Sequence, residues 1–221
     1  MNDTLRFIIS LSIGVAVIIG IVRFRKIDSS YYPFIYTITA ALIVEVITRI
    51  FMVTGQPEAF EVSLNIYSFI DFYLYLWLFH NWGLFNHNKG VFIAIATTFF
   101  IVWATNNALV TGFVRPNFYF FILYSFALIF FSVSAFNKAV VHERISIFRN
   151  AKFWICLGII IFYSFFIVAC ATSLTLFREN VSREFRGQLQ SINVYSNLLV
   201  NLLYAVAVIW IPRKKNFTSL F

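Results

Sequence analysis

A chain of 221 residues that is 61% hydrophobic and 12% charged, with a mean hydropathy of +0.83, is excluded from the soluble globular class and needs an apolar solvent. Its net charge of +8 is dispersed between apolar runs and forms no single basic stripe, which argues against a nucleic-acid surface and for anionic lipid headgroups. At about 20 residues per crossing, the length accommodates seven spans in one domain covering 1–221.

The first apolar run, Phe7–Val22, lacks the basic cluster and the A-x-A-like cleavage site of a secretory signal, and Arg23, Arg25 and Lys26 follow it directly. It is expected to stay in place as a short span whose ends are eased by snorkelling Arg6 and Arg23. The second run, Tyr31–Val53, opens near Pro33, where a missing N–H is harmless, and carries Glu45 and Arg49. The third, Val62–Trp82, holds Asn65, Tyr67 and Asp71; the fourth, Gly90–Leu109, places Asn106 and Asn107 at its outer end. The fifth, Asn117–Phe136, follows Pro116 and contains Tyr124, and the inner stretch Asn137–Lys152 adds four basic residues beside the membrane. The sixth, Phe153–Leu176, carries Tyr163 and both cysteines, Cys156 and Cys170, about 21 Å apart along the axis and too far for a disulfide. The outer stretch Phe177–Gln190 mixes Arg178, Arg183 and Arg186 with Glu179 and Glu184 and reads as a solvated amphipathic turn. The seventh run, Leu189–Ile211, has Asn193, Asn197 and Asn201 at i, i+4, i+8, with Tyr204 three residues on, so these polar groups share one stripe. Lengths near 20 residues fit helices and not barrel strands, giving an all-α seven-transmembrane bundle.

Counting Lys and Arg on alternate sides gives eleven on one and five on the other. The eleven belong in the cytoplasm, which predicts an outer amino terminus, a cytoplasmic carboxyl terminus and a plasma-membrane location. Trp82, Trp154 and Trp210 fall near the predicted inner ends, as an interfacial belt would place them, and the 29 phenylalanines read as packing and lipid-facing bulk.

Leu64-Asn65-Ile66-Tyr67-Ser68 echoes Ile192-Asn193-Val194-Tyr195-Ser196 at equivalent topological positions. The echo suggests a parallel repeat, with spans one to three and five to seven flanking the fourth as an inverting linker. In size and three-plus-one-plus-three outline the chain resembles the SWEET sugar transporters and their PQ-loop relatives. The likeness is architectural: no Pro-Gln pair occurs, and none of those families' functional residues carries over. The outline is also similar to that of heptahelical receptors and rhodopsins, but the seventh run has no lysine for a retinal Schiff base and the third lacks a D-R-Y-type triplet.

Intramembrane charge costs about 2.5–3.5 kcal/mol per residue on insertion scales, so Glu45, Arg49 and Asp71 are the strongest signals in the sequence. Counted from the expected helix ends, Glu45 and Asp71 lie at one depth, about 12–14 Å below the outer surface, with Arg49 one turn outward from Glu45. One reading is a structural ion network pinning two spans together; another makes one carboxylate a proton-coupling or ligand-anchoring group. Asn193, Asn197 and Asn201 are either interhelical hydrogen-bond glue or the wall of a pocket, with Asn65, Tyr67, Tyr124 and Tyr163 as further candidates.

Enzymatic motifs are missing. His80, His87 and His142 have no metal-ligand spacing, unlike the H-x-x-x-H of heptahelical zinc hydrolases, and no G-x-S-x-G, P-loop or G-x-G-x-x-G occurs, so no catalytic, metal or cofactor site is expected. The expected function is recognition of a small polar solute in an outer-half pocket, first as a small transporter, proton-coupled through Asp71 or Glu45. Alternatives are a receptor-like sensor, whose ligand shifts helices read by a cytoplasmic protein at 137–152, and a membrane subunit acting by assembly with partners.

Overall fold

The computed structural model describes residues 3–86, 88–142, 146–174 and 182–214, and within them eight α-helices build seven membrane-length elements. Helices α1 (Asp3–Ser10) and α2 (Ile13–Arg23) share the first span, broken at Leu11 and Ser12. The remaining spans are α3 (Tyr32–Val53), α4 (Pro57–Asn81), α5 (Lys89–Asn106, continued by a π turn over Asn107–Thr111), α6 (Phe118–His142), α7 (Ala151–Ala171) and α8 (Arg183–Trp210).

Local chemistry explains where the helices begin and end. Asn88, Asn150 and Ser182 each accept a backbone N–H of the first turn that follows, satisfying donors that the helix itself leaves free. Pro57 opens α4, and Gly55 just before it takes φ +69°, a left-handed conformation suited to a residue without Cβ. At its far end α8 is capped by another span: the Arg23 guanidinium of α2 donates to the carbonyls of Val208, Ile209 and Ile211. A cation among terminal carbonyls is the favourable sign at the negative end of a helix. Two backbone bonds, Asp28 N to Pro212 O and Lys214 N to Lys26 O, tie the same corner.

The spans close into a ring. α2 packs on α3, α3 on α4, α4 on α6, α6 on α7, α7 on α8, and α8 returns to α2; α5 lies outside the ring against α4 and α6, with no residue fully buried and Phe92, Phe99 and Trp103 half-buried against the core. The apolar residues facing away from the bundle, among them Ile18, Val22, Leu109 and Phe130, are those that a hydrocarbon environment must cover. Inside, Phe34, Phe72, Phe79 and Phe120 are fully buried, and edge-on pairs such as Phe79 with Trp82 and Phe34 with Tyr204 fill the half nearer the carboxyl terminus.

Several boundaries differ from those the hydropathy pattern predicts, and the differences move the site. α4 starts at Pro57 and not at Val62, because Gln56-Pro57-Glu58 makes an adequate first turn although it is polar. α8 starts at Arg183 and not at Leu189, since the amphipathic stretch expected as a turn is helical from the Ser182 cap onward. α6 continues to His142, so the beginning of the 137–152 segment is helix; α7 ends at Ala171, short of Leu176. His87, Arg144, Arg178 and Glu179 lie outside the described residues.

Candidate functional site

Asp71 lies fourteen residues into α4, about 21 Å along its axis, at the middle of the bundle. The residue is 2% exposed, and its carboxylate accepts two phenol protons: Tyr163 Oη of α7 donates to Oδ2, and Tyr67 Oη, one turn back on α4, donates to Oδ1 at 3.4 Å. No cation pairs with it among the described residues. A carboxyl group buried among neutral donors alone is costly to ionise, since nothing beside it compensates the charge.

Beside Asp71 is a cavity of about 60 Å³, space for a few water molecules and nothing larger. Thr37 of α3, Asn197 and Asn201 of α8, and the hydroxyl pair Tyr75–Tyr204 surround it, the two phenol oxygens 3.0 Å apart. Asn201 Nδ2 donates to Ser12 Oγ at 2.9 Å, so the break between α1 and α2 is linked to the polar stripe of α8. Tyr204 reaches this position because α7 has Gly158 opposite it: a Cβ there would stand 2.4 Å from the ring.

Toward the amino-terminal end of the bundle the interior widens into a vestibule of about 400 Å³. Its polar lining is Arg6 and Ser10 of α1, Glu45, Thr48 and Arg49 of α3, and Asn193 and Asn197 of α8. Arg6 Nε and Asn193 Oδ1 are buried there without a hydrogen-bond partner, and the Arg49 guanidinium lies over the Phe7 ring, 5.4 Å from its centroid.

A third cavity of about 320 Å³ opens on the other side of Asp71, between α4, α6 and α7. Its walls are mostly aromatic, including Phe121, Tyr124, Phe162 and Phe166, and Asp71, Tyr67, Phe162 and Tyr163 line it in common with the small cavity.

The expected convergence is therefore split over two levels. Asp71, Asn197, Asn201, Tyr67 and Tyr163 come together, as do Glu45, Arg49, Asn193 and Asn197, with Asn197 common to both groups. The ion network of Glu45, Arg49 and Asp71 does not form: no ion pair joins them among the described residues. The early start of α4 is the reason, since Glu45 lies eight residues from its helix end, about 12 Å, and Asp71 almost twice as deep. Tyr124 belongs to the third cavity.

Asn65 serves the fold. Its amide donates to the carbonyls of Phe113 and Arg115 and accepts from Asn117 N, and its backbone carbonyl accepts from Trp103 Nε1. This fixes the α5–α6 connection, in which Asn107 is fully buried within the π turn and not at a free helix end. Glu61, Thr37 and Phe162, which line these cavities, and Ser12, which holds Asn201, do not stand out in the sequence. Glu61 was recoverable, because Glu61, Leu64, Ser68 and Asp71 at i, i+3, i+7, i+10 form one helical face once α4 starts at Pro57.

Compared with known protein families, curated proteins and solved structures, the chain shows no significant match.

Proposed function

We propose that this protein recognises a small polar solute between α3, α4, α7 and α8 and carries it across a cell membrane. The observation supporting this most strongly is Asp71: a carboxylate in mid-bundle, without a cation among the described residues, beside a small cavity and below a polar vestibule. Buried intramembrane carboxylates of this kind serve as solute anchors or proton carriers. In this reading Arg6, Arg49, Glu45 and Asn193 receive the solute in the vestibule, and Asp71 with Tyr67, Tyr163, Asn197 and Asn201 lines the narrower passage below, which must widen for the solute to pass.

The bundle would then be in a state open toward its amino-terminal end and closed below by the layer of Phe34, Phe79, Trp82 and Tyr204. The ring order suits a rocking mechanism. Mapping the first three spans onto the last three turns the α4–α6 contact into the α8–α2 contact, as a pseudo-two-fold axis requires. The echoing residues differ in role, Asn65 holding a turn and Asn193 facing the vestibule. With the basic end in the cytoplasm, the vestibule faces outward. Reconstitution tests the proposal: solute uptake into proteoliposomes should disappear in Asp71→Asn, and a folded wild-type protein that moves nothing would refute transport.

A sensor reading has one specific observation in its favour. Phe148 is 68% exposed beside Arg149 at the basic end, an apolar and cationic feature that a cytoplasmic protein could engage. Saturable ligand binding without flux, together with a partner lost in Phe148→Ala, would favour it over transport.

A further inference from the structure

The third cavity differs in character from the two polar ones, and its charge is of one sign. Glu61 and Asp71 line it, and among the described residues no lysine, arginine or histidine does. Both carboxylates project from the same face of α4, about 15 Å apart along the helix, with Ser68 and Tyr67 between them. Glu61 Oε2 is buried there with no hydrogen-bond partner, and Asp71 is held at the other end by Tyr163 and Tyr67.

The rest of the wall is aromatic and apolar. Phe121, Tyr124, Phe162 and Phe166 present rings to the cavity, with Leu64 and Cys170 between them. Ring faces are electronegative, so they attract a cation while offering apolar contact to the remainder of a ligand. A volume of about 320 Å³ falls at the small end of the range for enclosed ligand sites.

From this arrangement we infer that the α4–α6–α7 cavity is a binding site for an organic cation: an ammonium group on an apolar or aromatic body, its charge at Asp71 and its body against Phe121, Phe162 and Phe166. Glu61 attracts the cation from the mouth, and the phenol groups of Tyr67 and Tyr163 orient the Asp71 carboxylate toward it. The assignment excludes anions, which would meet two carboxylates with no counter-charge among the described residues. It rests on reading Asp71 as a recognition group but not on transport.

The probe is benzyltrimethylammonium, whose charge is permanent, titrated calorimetrically into the protein in phosphatidylcholine nanodiscs, with phenylacetate as the anion of similar size. The expected result is saturable binding of the cation, none of phenylacetate, and a loss of at least about tenfold in affinity in Asp71→Asn. Glu61→Gln should weaken binding about two- to fivefold, and Cys170→Phe, which fills the cavity, should abolish it. Glu58→Gln, on the same helix outside the cavity, should leave it unchanged. Should Asp71→Asn fail to fold, Glu61→Gln and Cys170→Phe still decide the matter. No saturable binding to folded wild type, equal binding of phenylacetate, or binding indifferent to all three cavity variants would overturn the inference. Cation binding with no flux of the cation or of any other solute would keep the site and remove transport, whereas uptake of another solute with no cation binding would do the reverse.

Discussion

At Asp71 the two phenols are unequal partners, and that inequality can be measured. Tyr163, itself buried, makes the shorter bond, while Tyr67 is half-buried and 3.4 Å away. Tyr163→Phe should therefore destabilise the protein by roughly 1–3 kcal/mol, the cost of stranding a buried acceptor, and Tyr67→Phe by clearly less. Thermal unfolding in detergent reads the difference, and a larger loss in Tyr67→Phe would contradict the geometry. Asn65→Ala should also cost roughly 1–3 kcal/mol, since three hydrogen bonds of its side-chain amide disappear, but should leave ligand binding intact because the residue lines none of the cavities described. The sequence singled out Asp71, Asn197 and Asn201 as candidates because polar groups among apolar ones stand out, and the structure gathers them around one cavity. It could not rank Tyr163 or separate Asn65 from the others: a tyrosine or asparagine looks alike in sequence whether its partner is a carboxylate, a turn or nothing.

The helices bring these residues together through a few close approaches. The Tyr75–Tyr204 hydroxyl pair requires α7 and α8 to meet at Gly158, where any side chain would strike the Tyr204 ring. Gly158→Ala should cost roughly 1–3 kcal/mol from overpacking and disturb the hydroxyl pair. Gly14→Ala in α2, with open space around its Cβ, should be neutral or slightly stabilising. Comparing the unfolding midpoints of the two variants is the check, and equal effects would mean that the α7–α8 contact is not as tight as described. The existence and number of membrane-length elements were legible from apolar run length alone, but the break of the first into two helices at Leu11 and Ser12 was not. Helix starts were not, because hydropathy ends where polar residues begin, whereas Pro57 and the Ser182 cap extend α4 and α8 into polar sequence. Those extra turns, five residues for α4, put Asp71 below Glu45 and dissolve the expected ion network.

For the molecule as a whole, orientation and activity remain the decisive matters. Both native cysteines are buried, so an introduced thiol reports its own side of the membrane. Gln56→Cys, in the exposed α3–α4 turn, should react with an impermeant maleimide on intact cells, and Ser146→Cys, exposed at the basic end, only after permeabilisation. The reverse pattern would place the vestibule in the cytoplasm. The ring closed by α2 and α8, with α5 outside it, could not be read from hydropathy, which gives spans but not neighbours. The most direct test is uptake: proteoliposomes incubated with a defined pool of labelled sugars, amino acids and amines, their contents then read by mass spectrometry. Wild type should enrich at least one compound in the lumen and Asp71→Asn should not; contents identical to those of protein-free liposomes, with the protein folded, would contradict carriage of a solute past Asp71.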